Sequence, residues 1–448
     1  MDQRTYIKNI KKIGIFGNGV TGRAVAKLCK KYNIEYKIFD AYGECPVPFS
    51  DDDAKKYDII VRSPSFTMSH PWVSCAIANG CSCLSELDFS CCFWTGKIVA
   101  ITGTNGKTTT TEFLTFSLQK HGIDARKTGN IGIAFSDVVA SEHTKDTWAI
   151  VEVSSFQMDG TTIFSPDFVL WTNFDNDHLD VHSSPKEYFL CKSRLLHLVK
   201  QSNKYSSTCF VGPSVDTFAQ RVGLEDLRRS YTICTDHSGL PASSQLNINT
   251  QRENFALVNA FWKICNFPQS VIKESAIEFS IPPHRLQKIS TIYYNNIDKN
   301  ITKSVTFWDD SKATNFHALN GALRSFDKPV ILIAGGKSKN EPIQEFLNII
   351  RNHVKGLFIM GSSGKELYDA VKSDVLLSKN IPCMLFHHND DVQSVMNNIV
   401  REAYWMSGDG DDVVLSPGYS SLDWFNGYSD RGKVFENSVF NLSLNNKY

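Results

Sequence analysis

A glycine-rich loop between a short apolar run and a helix-like stretch restricts the fold more than any other segment. Lys97–Thr102 is typical of a buried strand, and residues 103–109 read Gly-Thr-Asn-Gly-Lys-Thr-Thr. Leu114 and Leu118 then indicate one face of a helix that ends near Gly122. Strand, glycine loop and helix in this order predict a loop whose backbone N–H groups surround phosphate.

Two side chains of this loop have predicted roles. Lys107 is expected to neutralise the β and γ phosphates of a nucleotide, and the Thr108 hydroxyl to bind Mg²⁺. The loop has the shorter GxxGKT form, because Ile101 occupies the place of the first glycine in GxxxxGK[ST]. The predicted phosphate-binding residues are Gly103, Thr104, Asn105, Gly106, Lys107, Thr108 and Thr109.

Short apolar runs recur along the chain between helix-like stretches. Runs this short and this apolar fit strands that are buried on both faces, and their alternation with helices implies parallel sheets with βαβ crossovers. The chain has 448 residues, which suggests about three domains. The runs are 13–16, 98–101, 149–153, 330–334, 357–360 and 413–415.

The runs fall into three groups, which we predict to be domains at 1–93, 94–282 and 283–448. The second group opens with the strand before Gly103 and ends at a break, Ile281-Pro282-Pro283. A polar segment within it, 201–254, is rich in Ser, Thr and Asn and has no assigned elements. We therefore predict an α/β protein with three mainly parallel sheets and flanking helices.

A second glycine motif, Gly-Asn-Gly-Val-Thr-Gly at 17–22, follows the first predicted strand and leads into a predicted helix at 21–31. Such glycines let the backbone approach a diphosphate at a helix N-terminus, and Asp40, at the end of the next predicted strand, is placed to bond ribose hydroxyls. The pattern predicts a nucleotide diphosphate without distinguishing NAD from a UDP-sugar. The candidate residues are Gly17, Gly19, Val20, Thr21, Gly22 and Asp40.

Acidic side chains follow two further predicted strands. Glu152 lies near the end of the predicted strand 148–153, and the polar stretch 172–180, which ends in Asp177-His178-Leu179-Asp180, lies just after the run 168–171. Acids at the carboxyl ends of strands in an α/β sheet point into the crevice where ligands bind. Phosphoryl transfer needs cations and protein ligands for them, so both groups are candidate metal ligands.

Composition excludes several classes of protein. Lys plus Arg and Asp plus Glu are both 47, and this balance argues against a general nucleic-acid binder. No apolar run approaches the roughly 20 residues of a membrane helix, and we expect no secretion signal and a cytoplasmic location. The 12 cysteines fit reduced thiols. The spacing of Cys81, Cys83, Cys91 and Cys92 is not the Cys-x2-Cys spacing of a zinc knuckle.

Six motifs together resemble the Mur ligase family of ATP-dependent amide-forming enzymes, and they occur in the family's order. The resemblance spans 17–432. Within the family, 310–315 and 415–432 favour the member that adds D-glutamate to UDP-N-acetylmuramoyl-L-alanine. The motifs are 103–109, 129–132, 152–157, 177–180, 283–285 and 310–315.

The resemblance implies a Rossmann-like N-terminal domain for the UDP-substrate, a P-loop domain for ATP and a Rossmann-like C-terminal domain for D-glutamate. It implies ATP and two Mg²⁺ ions as cofactors, and a monomer. Glu152 would serve the first Mg²⁺, and His178 with Lys192 the second. Lys192 is typically carbamylated in the family, which makes it an anionic oxygen ligand. Asn130 would contact the substrate or the transferred phosphate.

The resemblance also extends the binding sets. Asn254, Arg285 and Asp310 would contact the nucleotide, and Ser63 would lie on the uridine side. Lys339 is favoured over Lys337 for the D-glutamate carboxylate. The full D-glutamate set is Lys312, Thr314, Lys339, Ser421 and Tyr428.

Six positions depart from the family pattern. In the adenine segment, Gln251 and Glu253 replace Gly and His, and Leu257 stands where a second Asn is usual, with Asn259 as a substitute. Asp309 replaces a common Asn beside Asp310 and adds charge. The remaining departures are Tyr428 for Phe and Ser65 for Gly.

Other functions compete with this interpretation. The motif at 17–22 with Asp40 also suits an NAD(P)-dependent oxidoreductase, but that class leaves the phosphate loop unexplained. A nucleotide-regulated binding protein that has lost catalysis is a second alternative. Such a protein would not need the candidate residues Glu152, His178, Lys192 and Asp310. Another Mur ligase or a folylpolyglutamate synthase-like ligase would share the ATP site but not the C-terminal stretches.

Overall fold

A computed structural model describes most of the chain in two compact units. The described residues are 3–41, 46–179, 181–200, 207–296, 301–339, 342–388 and 391–445. The first unit comprises Met1–Phe174, Lys186–Asn247 and Gln251–Ser280, and the second comprises Asp175–Pro185, Ile248–Thr250 and Ile281–Tyr448.

The N-terminal part of the first unit is a parallel sheet with helices. Its strands are β1 (Lys12–Phe16), β2 (Glu35–Phe39), β3 (Ile59–Arg62) and β4 (Ser82–Ser85). Its helices are α1 (Gln3–Lys8), α2 (Val20–Lys31), α3 (Asp51–Ala54), α4 (Pro71–Ala78) and α5 (Glu86–Cys91). The strand order is β2-β1-β3-β4, and all pairs are parallel.

A second parallel sheet in the same unit contains the predicted phosphate-loop strand at its centre. Its strands are β5 (Lys97–Thr102), β6 (Ala125–Gly129), β7 (Trp148–Glu152), β8 (Phe168–Trp171), β9 (Cys209–Val211) and β10 (Thr232–Ile233). The strand order is β10-β9-β8-β5-β7-β6, and the strands are parallel. The helices are α6 (Lys107–Lys120), α7 (Phe135–Ala140), α8 (Ser155–Met158), α9 (Pro185–Leu198), α10 (Pro213–Arg221), α11 (Glu225–Arg228), α12 (Asn249–Ile264) and α13 (Gln269–Glu278).

Two buried carboxylates on α5 join the two sheets of the first unit. Glu86 Oε1 accepts hydrogen bonds from the N–H and hydroxyl of Ser136 at 2.5 and 2.7 Å. Asp88 Oδ1 accepts from the backbone N–H groups of Ile163 and Phe164 at 2.8 and 2.7 Å. Burial raises the pKa of both carboxyls. One apolar cluster includes side chains from both sheets, and a separate cluster packs on the first sheet alone.

The second unit contains one mixed sheet. Its strands are β11 (Gln287–Asn296), β12 (Ile301–Asp309), β13 (Val330–Gly335), β14 (Val354–Met360), β15 (Cys383–Leu385) and β16 (Asp411–Leu415). Its helices are α14 (Phe316–Leu323), α15 (Ile343–His353), α16 (Gly364–Ser373), α17 (Val375–Asn380), α18 (Val392–Met406) and α19 (Tyr428–Asn445). The order is β11-β12-β16-β13-β14-β15, in which only the β11–β12 pair is antiparallel among the described strands.

The predicted fold class is confirmed: three sheets, mainly parallel and flanked by helices, occur in chain order. Every apolar run predicted as a strand overlaps one. The segment 201–254 contains β9, α10, α11, β10 and the start of α12, although residues 201–206 lie outside the described residues. The exact domain limits, 1–93, 94–282 and 283–448, stay predictions. Within the described residues, no helix combines the length and apolarity needed to cross a membrane.

Candidate nucleotide and substrate site

The predicted phosphate loop joins the end of β5 to the start of α6. Gly106 is the N-cap of α6, with φ at 78°, and Gly103 has φ at 148°. A Cβ at Gly106 would overlap the Asn254 side chain. The loop therefore needs glycine at 106 both for its left-handed backbone and for the close approach of Asn254, which was predicted to contact the nucleotide.

The polar pair after β8 holds this loop in place. Asn173 accepts from the backbone N–H of Thr104 through its carbonyl oxygen at 3.1 Å, and from that of Asn105 through Oδ1 at 2.8 Å. The Thr172 hydroxyl donates to the Asn105 carbonyl at 2.5 Å. Thr172 and Asn173 begin the candidate stretch predicted after this strand, but neither was given a role of its own. Their position after an apolar strand beside β5 was the available signal.

The Lys107 ammonium lies against its own loop. Its Nζ donates to the carbonyl oxygens of Gly103 and Thr104, each at 2.9 Å. The positive charge is thus placed at the N-terminus of α6, where the helix dipole also favours an anion.

Glu152 contacts two residues whose roles were predicted separately, Thr108 and Asn130. Its Oε2 accepts from the Thr108 hydroxyl at 2.9 Å, and its Oε1 accepts from Asn130 Nδ2 at 3.2 Å. The Asn130 backbone N–H also donates to the Glu152 carbonyl at 2.8 Å. Glu152 is only 3% exposed. A carboxylate and a hydroxyl are the hard oxygen donors that Mg²⁺ prefers, so the pair Thr108 and Glu152 fits that ion.

Lys192 is the buried cation of this site. It lies on α9 and is 1% exposed. Its Nζ donates to the Gly103 carbonyl at 3.0 Å and lies 4.6 Å from the centre of the Tyr188 ring. The structure therefore places Lys192 against the phosphate loop, and Thr108, Glu152, Asn130, Asn254 and Lys107 all lie in the same unit.

Replacing Gly106 by alanine is expected to weaken ATP binding at least about tenfold and to lower the melting temperature. The left-handed conformation costs an L-residue about 1–2 kcal/mol, and the new methyl displaces Asn254. Gly122→Ala is the matched control, because Gly122 also has positive φ, at 87°, but a Cβ there meets nothing within 4 Å. Equal ATP affinity in the two variants, measured by calorimetry, would show that the Asn254 contact is unimportant.

His178 lies in the second unit, beside a buried ion pair. Asp177 Oδ1 pairs with Lys339 Nζ at 2.9 Å, and Asp177 Oδ2 accepts from Asn315 Nδ2 at 3.0 Å. His178 Nε2 is 3.6 Å from the same Oδ2. Burial opposes ionisation of Asp177, yet Lys339 and His178 hold the pKa of that carboxyl below its usual range. Asp180 lies outside the described residues.

Asp310 and Arg285 also belong to the second unit. Asp310 accepts from the Ser416 hydroxyl at 2.8 Å and from the Leu286 N–H at 3.1 Å. Burial, reinforced by the neighbouring Asp309, raises the pKa of Asp310 to about 8. Arg285 is half-buried and donates to the Pro283 carbonyl at 3.2 Å.

The five residues predicted for D-glutamate are only partly brought together. Lys312 Nζ lies 4.1 Å from the centre of the Tyr428 ring, so this pair is adjacent. Lys339 is instead paired with Asp177. Ser421 is buried and Thr314 is half-buried.

The residues predicted for the UDP-substrate surround the carboxyl end of β1. The Asn18 N–H donates to Asp40 Oδ2 at 3.1 Å. A Cβ at Gly17 would lie 2.8 Å from Ser63 Oγ, and one at Gly22 would overlap the Gly17 carbonyl. Val20, at the start of α2 beside Gly19 and Thr21, is 60% exposed. The glycines thus bring the loop against Ser63 and the first turn of α2.

The fold is that of an α/β protein in which a glycine-rich loop joins β5 of the second sheet to α6. Residues 101–274 match the Mur ligase middle domain. This match agrees with the family resemblance that the motifs predicted.

Similarity extends over the full length of known proteins. The chain is 28% identical to the UDP-N-acetylmuramoylalanine–D-glutamate ligase of Christiangramia forsetii, over 96% of this chain and 100% of that protein. The fold resembles UDP-N-acetylmuramate-alanine ligase MurC of Thermotoga maritima, with a TM-score of 0.54, 15% identity, and coverage of 96% and 99%. It also resembles MurF ligase of Thermotoga maritima in complex with ADP, with a TM-score of 0.52, 13% identity, and coverage of 88% and 98%.

Proposed function

We propose that this chain is an ATP-dependent ligase that joins D-glutamate to UDP-N-acetylmuramoyl-L-alanine in peptidoglycan precursor synthesis. The observation that carries the catalytic part is the convergence of Thr108 and Asn130 on Glu152 beside the phosphate loop. The choice of substrates is supported by the full-length similarity to a D-glutamate ligase.

The reactants dictate the sequence of steps. A carboxylate is a poor acyl donor, so its oxygen first attacks the γ-phosphorus of ATP, which gives an acyl phosphate and ADP. The unprotonated amine of D-glutamate then attacks the acyl carbon, and the tetrahedral species collapses to the amide and phosphate. Exclusion of water from the site protects the acyl phosphate from hydrolysis. Holding the two reactants close together favours attack by the amine over attack by water.

Residues of the chain divide these tasks. Lys107 offsets charge on the transferring phosphoryl group, and Asn130 orients the acceptor or that group. Thr108 and Glu152 would hold one Mg²⁺, and His178 with carbamylated Lys192 would hold a second. Such ions would supply positive charge that offsets the charge of the phosphoryl group.

The remaining predicted residues bind the substrates. The loop at 17–22, with Asp40 and Ser63, binds the UDP moiety, and Asn254, Arg285 and Asp310 bind the nucleotide. The five C-terminal residues predicted for D-glutamate hold the amino acid, with Lys339 on its carboxylate. The protein acts as a cytoplasmic monomer.

The decisive assay mixes the protein with Mg²⁺-ATP, UDP-N-acetylmuramoyl-L-alanine and one amino acid at a time, and measures phosphate release. We expect release with D-glutamate alone, and none from a Lys107→Ala variant. Release with another amino acid would assign a different Mur ligase activity. Release with L-glutamate and a folate, or oxidation of NAD(P)H, would instead support one of the competing classes.

A further inference from the structure

A buried histidine–aspartate pair lies in the second unit, outside the residues assigned above. His284 Nδ1 and Asp309 Oδ2 are 2.6 Å apart, and Asp309, the last residue of β12, is fully buried. Glu436, on α19, has its Oε1 3.7 Å from His284 Nδ1. The pair thus places a carboxylate and an imidazole in direct contact, with a second carboxylate nearby.

The pair is connected to two candidate ligand-binding segments. Asp309 Oδ1 accepts from the Ser311 N–H at 2.8 Å, and the His284 carbonyl accepts from the Lys312 N–H at 3.0 Å. His284 also precedes Arg285 and has φ at 64°, in the left-handed region that a residue other than glycine seldom adopts. The contacts of His284 with 309–312 must therefore maintain this turn.

We propose that Asp309 is a positioning residue that keeps His284 as an imidazolium and thereby fixes the turn carrying Arg285 and the segment carrying Lys312. This inference rests on the proposed function only for its kinetic consequences. A charge-assisted hydrogen bond is about twice as strong as a neutral one, so an Asp at 309 fixes the turn more firmly than an Asn would.

The charges around His284 favour its protonated form. The hydrogen bond to Asp309 raises the pKa of His284, burial opposes this, and Glu436 adds to the increase while Arg285 reduces it. Ser429 Oγ lies 3.5 Å from Nε2, and the Tyr428 ring packs edge-on at 6.3 Å. Arg431 is attracted to Asp309. Burial and the charge of Asp309 raise the pKa of Glu436, while His284 and Lys433 reduce this rise. The pKa of His284 is higher in the folded chain than in the unfolded chain. The contact between His284 and Asp309 therefore stabilises the fold at low pH, and this contribution is lost as pH rises through the folded pKa of His284.

The geometry favours a shared proton over a bound cation. Two ligands of one tetrahedral metal ion lie roughly 3.3 Å apart, since each bond is about 2.0–2.1 Å long. The distance of 2.6 Å between His284 Nδ1 and Asp309 Oδ2 is that of a hydrogen bond. Gly432 also packs so closely that a Cβ there would overlap His284 Nδ1.

The test compares Asp309→Asn with wild type in the full chain. The His284 imidazole is followed by NMR with labelled histidine, its signal assigned by its loss in His284→Gln. We expect its pKa to fall in Asp309→Asn. We also expect kcat to fall about fivefold near neutral pH, with KM for the UDP-substrate unchanged. Wild-type kcat should decline as pH rises through the pKa of His284, and this decline should disappear in Asp309→Asn. Asp411→Asn is the control, because it removes an ion pair with Lys355 at the other end of β16.

An unchanged His284 titration in Asp309→Asn would overturn the proposal, and so would an altered titration with an unchanged pH profile of kcat. The titration needs no enzymatic activity, so it still tests the pair if the protein proves not to be a D-glutamate ligase. A loss of folding in Asp309→Asn, seen by thermal unfolding at pH 6 as well as pH 9, would equally contradict a role confined to positioning.

Discussion

Lys192→Ala is expected to reduce phosphate release by about a thousandfold or more. The Lys192 ammonium is buried and bonded to the Gly103 carbonyl of the phosphate loop. In the proposed reaction its carbamylated form supplies an anionic oxygen to the second Mg²⁺, and alanine offers no such oxygen. Steady-state turnover with saturating ATP, D-glutamate and UDP-N-acetylmuramoyl-L-alanine measures the loss.

Chemical rescue separates the ligand role of Lys192 from a packing role. Short carboxylic acids added to Lys192→Ala should partly restore turnover, because they replace the missing oxygen in the space left by the side chain. Lys192→Met fills that space and should not be rescued. Lys186→Ala, an exposed lysine on the same helix, should keep full activity. Full activity in Lys192→Ala would remove this lysine from the mechanism.

The sequence predicted the parallel sheets because their strands are buried on both faces. Such strands are continuous apolar runs, and β5, β13 and β14 show the pattern plainly. The antiparallel pair β11–β12 escaped prediction. Its strands alternate Tyr, Asn, Thr and Lys with apolar residues, and partly exposed hairpins give a weaker signal than a buried run.

The candidate site was predictable where one segment carries the chemistry. The phosphate loop is contiguous, so its residues could be named directly. The hydrogen bond from the Asn105 N–H to Asn173 forms because β8 lies beside β5 in the sheet. Strand order cannot be read from the spacing of residues in the sequence. The ion pair between Asp177 and Lys339 joins residues 162 positions apart, so neither side chain reveals its partner.

Asp310 shows a further limit of sequence reasoning. Its identity indicates a charged nucleotide contact, but burial and the adjacent Asp309 raise its pKa to about 8. The folded pKa is above the unfolded value, so this group favours the folded state at low pH, and the contribution is lost as pH rises from about 4 to about 8. The pKa of a buried carboxyl depends on its surroundings in the fold, and the sequence does not show those surroundings.

Glu152→Gln is expected to lower turnover by about 10²–10³-fold and to raise the Mg²⁺ concentration needed for half-maximal activity. The change preserves the shape of the side chain and removes its charge. The amide can accept from only one of Thr108 and Asn130, because its NH₂ group faces the other donor. Both the cation site and the orientation of Asn130 are therefore impaired.

The Mg²⁺ dependence makes the Glu152 experiment specific. Glu112→Gln is the matched control, since Glu112 lies on α6 beside the same loop but pairs with Lys127 at the protein surface. That control should keep the wild-type Mg²⁺ dependence. If Glu152→Gln lost turnover while its Mg²⁺ dependence stayed that of wild type, the carboxylate would act through its two hydrogen bonds rather than as a metal ligand. Asn130→Ala, which removes one of those bonds and leaves the carboxylate charged, should then reproduce much of the loss.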